Sequence, residues 1–345
     1  MGARADSGEE PKRRRTNAAE YRDDWGGLMG INLRGFQTTI KERVALSGIG
    51  VHRGNRVNIS FYPADPDTGV VFHRMDRADD AEEVRALVSE IGNTDLCTQL
   101  GDEPERHVGT VEHLMATVSA LGIDNLLIEI DGPEVPILDG SAAMYVEAFD
   151  SVGLAVQPVK RRFIRVAKPV RIEMGCSWAE FRPYNGTRFE VEIDFESPLI
   201  GRQVFASDID GAIFRREIAP ARTFGFMKDV EGLWASGHAL GSSLDNSIVI
   251  GDDDTVINPG GLRMKNEFVR HKTLDAIGDL ALAGAQFIGC FRSYRGGHKL
   301  NAAALRALLS DVSAFEVVEA ATRRERGRGA EMIAVSAPVF APWTL

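Results

Sequence analysis

A histidine and two aspartates recur at helical spacing in one short segment of the chain. In His271-Lys272-Thr273-Leu274-Asp275-Ala276-Ile277-Gly278-Asp279, positions 271, 275 and 279 are successive i, i+4 neighbours on one helical face. Leu274, Gly278 and Leu282 lie on the same stripe. The stripe therefore turns at least partly toward the protein, where an unpaired carboxylate is costly and a cation must compensate. The plainer alternative is a surface stripe with stray acids. A hydrolytic zinc ion needs three nitrogen or oxygen ligands and an open position for water, and this helix offers two that can meet one ion, His271 and Asp275. Thr110-Val111-Glu112-His113 offers a third, His113. A lone histidine near a helix start is ordinarily structural, but Glu112 beside it supplies the carboxylate that an attacking water needs to lose its proton.

Two further segments have side chains suited to a reaction. Arg295-Gly296-Gly297-His298-Lys299 reads as a glycine-flanked loop after a strand, a common place to present a catalytic group. An ordinary exposed loop histidine is the alternative. Ala221-Arg222-Thr223-Phe224-Gly225-Phe226 sets a hydroxyl between a basic and two aromatic residues, and could equally be a buried strand end.

The elements that must position these residues follow from hydrophobic period and punctuation. Order is expected from Thr38-Thr39-Ile40, and residues 56–61 alternate like a half-buried strand. Gly109-Thr110 opens a helix with Val111, Leu114, Met115 and Val118 at helical spacing and Gly122 as its stop. Residues 126–130 form a strand, and Asp139-Gly140-Ser141 precedes a helix to about residue 151. Gly153 and Pro158 mark 152–160 as an inter-domain link. Beyond it the reading gives strands over 163–195, a helix over 267–283, a strand over 287–294 and a last helix from Asn301. Strands, helix, strand, helix thus occur twice, a weak internal repeat. The fold class is α+β, divided into a disordered extension over 1–35, domain I over 36–157 and domain II over 161–340.

Bulk properties agree with an ordinary globular protein. The 345 residues suggest two domains, and 44% hydrophobic residues suffice for proper cores. A net charge of -10, with no broad basic stretch beyond the Lys12–Arg15 run, argues against a nucleic-acid footprint. The basic run itself reads as a solvated tail or a contact with an anionic membrane. Cys97, Cys176 and Cys290 are odd in number and widely spaced. They suggest neither disulfides nor a thiolate zinc site, and fit a reducing cytoplasm. No apolar run is long enough for a membrane span and the N-terminus does not read as a secretory signal. Chemistry on a lipid would be done from the soluble side or in transient contact with a membrane surface.

Taken in order, six segments resemble the UDP-3-O-acyl-N-acetylglucosamine deacetylase family. They are Ser47-Gly48-Ile49-Gly50-Val51-His52-Arg53-Gly54, Thr110-Val111-Glu112-His113, Asp131-Gly132-Pro133-Glu134-Val135-Pro136-Ile137-Leu138-Asp139-Gly140-Ser141, Ala221-Arg222-Thr223-Phe224-Gly225-Phe226, the segment from Phe268 through Asp279 to Leu280, and Gly297-His298-Lys299-Leu300-Asn301. The resemblance covers the chain after about Gln37. It implies hydrolysis of the N-acetyl group of UDP-3-O-(3-hydroxyacyl)-N-acetylglucosamine, the committed step of lipid A synthesis. It also implies two similar α+β domains with the active site between them. Carried over residue by residue, His113, His271 and Asp275 hold zinc, or Fe(II), which the same ligands accept. Glu112 is the general base, and His298, Asp279, Thr223 and Lys272 complete the catalytic set. Thr223 would donate to the oxyanion, His298 would protonate the leaving amine, and Asp279 would orient His298. Lys272 and Arg295 suit the diphosphate, although many family members have Lys where Arg295 stands. Phe195 matches an aromatic that stacks on uracil, and Phe224, Phe226 and Leu233 are further substrate-binding expectations. Residues 226–250, with Leu233, Trp234 and Leu240, correspond to an insert that forms an apolar passage for the acyl chain. Gly241-Ser242-Ser243 is more polar than the family pattern there. A different zinc hydrolase such as a peptidase would share the ion without the UDP or the passage. A regulatory protein with structural zinc would be expected to show a closed, cysteine-rich site.

Overall fold

A computed structural model of the chain describes residues 35–77, 83–103 and 106–320. The expected extension before residue 35 and the part of the expected second domain beyond residue 320 lie outside the described residues. Strands and helices are mixed, with two large sheets that each combine antiparallel and parallel neighbours.

The N-terminal portion contains β1 (Phe36–Ile40), β2 (Val44–Ile49), β3 (Arg56–Pro63), β4 (Val70–Arg74), β5 (Val84–Arg85) and β6 (Leu126–Ile130), with helices α1 (Glu112–Leu121) and α2 (Ala143–Val152). Its five-stranded sheet runs β2-β3-β6-β4-β5. Strict alternation along β3 puts Val57, Ile59 and Phe61 on the buried face. Phe61 meets Phe149 and Tyr145 of α2 edge-on at centroid distances of 5.0 and 6.3 Å, which seats that helix on the sheet. Gly122, at φ 75°, ends α1 as its sequence indicates.

Residues 152–160 are not a loose link. Gly153 ends α2, and β7 (Leu154–Lys160) pairs antiparallel with β1. The register shifts between the Thr38–Val156 and Phe36–Lys160 pairs, so Pro158, which has no N–H to give, falls in an irregular stretch of the ladder. Punctuation by Gly and Pro was real, but long-range pairing turned the segment into a strand.

The C-terminal portion adds β8 (Arg162–Val166), β9 (Val170–Met174), β10 (Ser177–Arg182), β11 (Thr187–Asp194), β12 (Arg202–Asp208), β13 (Phe224–Phe226), β14 (Ile248–Ile250), β15 (Gln286–Tyr294) and β16 (Phe315–Glu319). Its longer helices are α3 (Met227–Ala235), α4 (Glu267–Ala281) and α5 (His298–Ser310). The seven-stranded sheet runs β12-β11-β15-β10-β9, with β8 joining β15 to β16. Phe181, Phe287 and Phe291 pack their rings about 5.2 Å apart on its covered face. The last helix starts at His298, three residues before the expected Asn301, because extended Gly297 caps it and its carbonyl accepts the N–H of Asn301. Apolar spacing first registers at Leu300 and so misses the cap. No helix among the described residues is long and apolar enough to cross a membrane.

What positions the chemistry is the contact of α1 with α4. A β-carbon at Gly278 would collide with the backbone carbonyl of Glu112, so only glycine lets the two helices approach this closely. Alanine is worth about 1 kcal/mol in a helix interior, but forced overpacking costs typically about 1–3 kcal/mol. The collision is with backbone, which cannot swing aside, so the penalty wins. Gly278→Ala is expected to lower the urea unfolding midpoint and the metal content together. An unchanged midpoint would show that the helices part without cost.

Candidate metal and active site

Helix α4 begins at a buried acid. The Glu267 carboxylate accepts the backbone N–H groups of Arg263 (2.6 Å) and Arg222 (3.1 Å) and pairs with the Arg222 guanidinium at 2.9 Å. An anion at a helix N-terminus complements the helix dipole. Here it also ties the start of α4 to the 221–223 stretch. One, two and three turns on, His271, Asp275 and Asp279 are all buried on the face turned to α1.

His113, His271 and Asp275 bring one ligand atom each to within 4.8 Å of one another. Asp275 Oδ1 stands 3.4 Å from His271 Nε2 and 3.6 Å from His113 Nε2. His271 Nδ1 is 3.1 Å from the Ala221 carbonyl and donates to it. That leaves the Nε2 lone pair facing inward. Burial, helped by neighbouring cations and despite Asp275, pushes the His271 pKa down to about 3, so its imidazole is neutral. Asp275 Oδ2 accepts Lys272 Nζ at 2.7 Å, whereas Oδ1 is buried with no hydrogen-bond partner. A buried carboxylate oxygen without a hydrogen bond, facing two imidazole nitrogens, fits a divalent cation.

Behind this cluster sit two more acids. Burial raises the Glu112 pKa above the usual carboxylate range, and its Oε2 accepts the Thr98 N–H at 3.0 Å. His298 Nε2 is 3.9 Å from Glu112 Oε1, and His298 Nδ1 is 3.0 Å from Asp279 Oδ2. Burial opposes the imidazolium, but the carboxylates of Asp279 and Glu112 outweigh it and hold the His298 pKa up to about 9. Asp279 also accepts the Thr98 hydroxyl at 2.6 Å and the Asn301 amide at 2.8 Å. Sequence reading passed over both partners. Asn301 carried a signal, lying one helical turn from His298, but Thr98 stands in an irregular stretch with no pattern to mark it.

A cavity of about 540 Å³ opens on these groups. Glu112, His113, Thr223, His271, Lys272, Asp275 and His298 line its polar end, while Phe224, Phe226, Met227, Val230, Leu233 and Trp234 line the rest. Phe195 lies on its wall, 5.6 Å from the Phe224 ring. Arg295 is not in this cavity. It borders an adjoining hollow of about 680 Å³ together with Lys272, Lys228, Phe195 and Phe226, and Asp279 stands behind His298 rather than on the wall. The polar 241–243 step closes on its own hydrogen bonds, Ser242 with Ser247 at 3.1 Å and Ser243 N–H to Asn246 Oδ1 at 2.8 Å. Gly241 and Leu240 donate to the carbonyls of Val51 and His52, which joins the insert to the 47–54 motif.

Residues 37–310 match the family described as UDP-3-O-acyl N-acetylglycosamine deacetylase. The chain is 65% identical over 288 residues to the UDP-3-O-acyl-N-acetylglucosamine deacetylase of Brucella ovis, an alignment that covers 84% of this chain and 100% of that protein. Proteins of the same name from Brucella abortus (strain 2308) and Brucella melitensis biotype 2 are 65% and 64% identical with the same coverage. Agreement over the full length of each relative, and over both helices and the insert that build the site, means that the chain belongs to the UDP-3-O-acyl N-acetylglycosamine deacetylase family.

Proposed function

We propose that the chain is a cytoplasmic zinc hydrolase that removes the N-acetyl group from UDP-3-O-(3-hydroxyacyl)-N-acetylglucosamine, releasing acetate and the free amine for lipid A synthesis. The observation that carries this reading is the convergence of His113, His271 and the orphaned Asp275 Oδ1 in a cavity that also receives Glu112 and His298. On this reading two similar domains, 36–157 and 161–340, would contribute α1 and α4 respectively, with the site between them. His113, His271 and Asp275 would hold the zinc ion, with Fe(II) as the alternative occupant. Bound there, the ion would supply Lewis acidity to the acetyl carbonyl and to water.

The chain's own residues divide the remaining work. Glu112 takes a proton from the attacking water, and its burial keeps the carboxylate basic enough to do so. Thr223, on the cavity wall, offers a hydroxyl to the oxyanion. His298, protonated and aligned by Asp279, gives its proton to the leaving amine, which departs poorly as an anion. Lys272 neutralises Asp275 and, with Arg295 and Lys228, borders the hollow where the diphosphate would lie, with Phe195 on the same wall for the uracil ring. Phe224, Phe226 and Leu233 line the apolar end, where the acyl chain lies. Acetate release from the UDP-sugar lipid, with none from acetylated peptides, tests the substrate class against a peptidase.

Replacing His113, His271 or Asp275 by Ala is expected to lower metal content and activity together. Glu112→Gln is expected to keep the metal and lose about 10²–10⁴-fold in kcat. Metal analysis beside each assay separates ligand from base, and a metal-free Glu112→Gln protein would end the assignment of Glu112 as base.

The rate should be bell-shaped in pH. Below the raised Glu112 pKa the base is protonated, so activity climbs with pH on a limb above the usual carboxylate range. His298 keeps its proton until about pH 9, so activity falls as pH rises through that value. Each limb belongs to the coupled site. A basic limb that persists in His298→Ala would move the acid role elsewhere.

Each buried methylene contributes about 0.8 kcal/mol, so shortening the acyl chain by several carbons should reduce kcat/KM by orders of magnitude. Leu233→Asp should penalise long-chain substrates and spare short ones. A flat chain-length profile in the wild type would remove the passage.

A further inference from the structure

Thr98 touches both halves of the proposed acid–base apparatus. Its N–H donates to Glu112 Oε2 at 3.0 Å, its hydroxyl donates to Asp279 Oδ1 at 2.6 Å, and its carbonyl accepts the Val111 N–H at 3.3 Å. The residue is 1% exposed, in a stretch with neither helix nor strand to hold it. A buried threonine that merely needs a partner can use a backbone carbonyl. Thr117 of α1 and Thr273 of α4 do so, bonding the carbonyls of His113 and Val269 one turn back at 3.0 and 2.8 Å. Thr98 instead gives its hydroxyl proton to a carboxylate on the opposite helix.

The geometry around Asp279 gives that bond a purpose. Thr98 takes Oδ1, while Asn301 Nδ2 and His298 Nδ1 share Oδ2 at 2.8 and 3.0 Å. Three donors from two segments, Thr98 and the start of α5, therefore fix the rotation of one carboxylate, and through it the imidazole of His298. His298 Nε2 and Glu112 Oε1 are 3.9 Å apart, beyond hydrogen-bond length, although their charges attract. Direct contact would close the gap between base and acid. The Thr98 N–H restrains Glu112 from one side, and the Thr98 hydroxyl restrains Asp279, and with it His298, from the other.

We propose that Thr98 is a positioning residue that sets the separation of Glu112 and His298 by bonding Glu112 and Asp279 at once, with Asn301 completing the clamp. The role rests on the assignment of Glu112 as base and His298 as acid. Loss of the hydroxyl lets Asp279 turn and His298 close on Glu112, which lowers kcat while leaving substrate binding and the metal in place.

Thr98→Val preserves shape and removes the donor; Thr98→Ser restores it. The test measures kcat, KM and metal content for both variants, in the wild type and in a His298→Ala background, with the UDP-sugar lipid as substrate. Thr98→Val should lower kcat on the order of 10–100-fold, with KM and metal content unchanged, as expected for misalignment of reacting groups. Thr98→Ser should recover to within about threefold of the wild type, because the donor that aligns the carboxylate is back. In the His298→Ala background, Thr98→Val should cost less than about threefold, since residues acting through one another are not additive. An equal cost in both backgrounds, loss of metal, or a Ser variant no better than Val would overturn the role. If Thr98→Val does not fold, Asn301→Ala reports on the same carboxylate and must show the same dependence on His298. A His298→Ala enzyme as fast as the wild type would overturn the acid assignment, and the clamp with it.

Discussion

The close contact of α1 and α4 is the constraint on which the site depends. It brings Glu112 and His113 of one helix against His271, Asp275 and Asp279 of the other, and it exists because position 278 has no side chain. Three buried carboxylates so close together are unfavourable unless each is answered. Lys272 answers Asp275, His298 lies between Asp279 and Glu112, and Thr98 and Asn301 supply neutral donors. Asp275 Oδ1 is left buried without a hydrogen bond beside two imidazoles. Charge balance and donor count thus both fit a cation at this position.

Buried acids away from that centre hold the frame. Glu134 is 3% exposed and accepts the N–H groups of His52 and Arg53 and the hydroxyl of Thr110, so it ties the 47–54 motif to the residues just before α1. Thr110 itself sits at φ 57°, a strained conformation for a β-branched residue that persists only when its surroundings demand it. Glu267 does for α4 what Glu134 does for the approach to α1. In both cases a carboxylate without solvent is satisfied by backbone donors, and the backbone is thereby held in place.

The cavity joins two environments that a single substrate must satisfy. Its polar side chains gather near the candidate metal ligands, aromatic and aliphatic ones line the rest, and a hollow of mixed charge adjoins it through Lys272, Phe195 and Phe226. Helix α3 contributes much of the apolar wall yet buries none of its own residues, and Trp234 is 55% exposed. Such a helix serves as the wall of a cavity rather than as core.

What the sequence alone determined is whatever local geometry dictates. The i, i+4 spacing of His271, Asp275 and Asp279 puts them on one face in any helix, Gly122 stops α1 wherever it packs, and alternation marks β3. The triad was legible as well, because its three residue types are unusual at buried helical positions and the flanking motifs recur in order. Only the tertiary structure decided how these pieces meet. The 152–160 stretch became a strand through pairing with β1, and the helix carrying His298 began earlier than its apolar residues suggest because a glycine cap is a matter of backbone angle. Arg295 was set in the adjoining hollow by a fold at φ 51° that its side chain does not announce. The contacts of Thr98 and Glu134 were unreadable for the same reason: each acts through hydrogen bonds to residues distant in the chain, and no period or spacing encodes a contact of that kind.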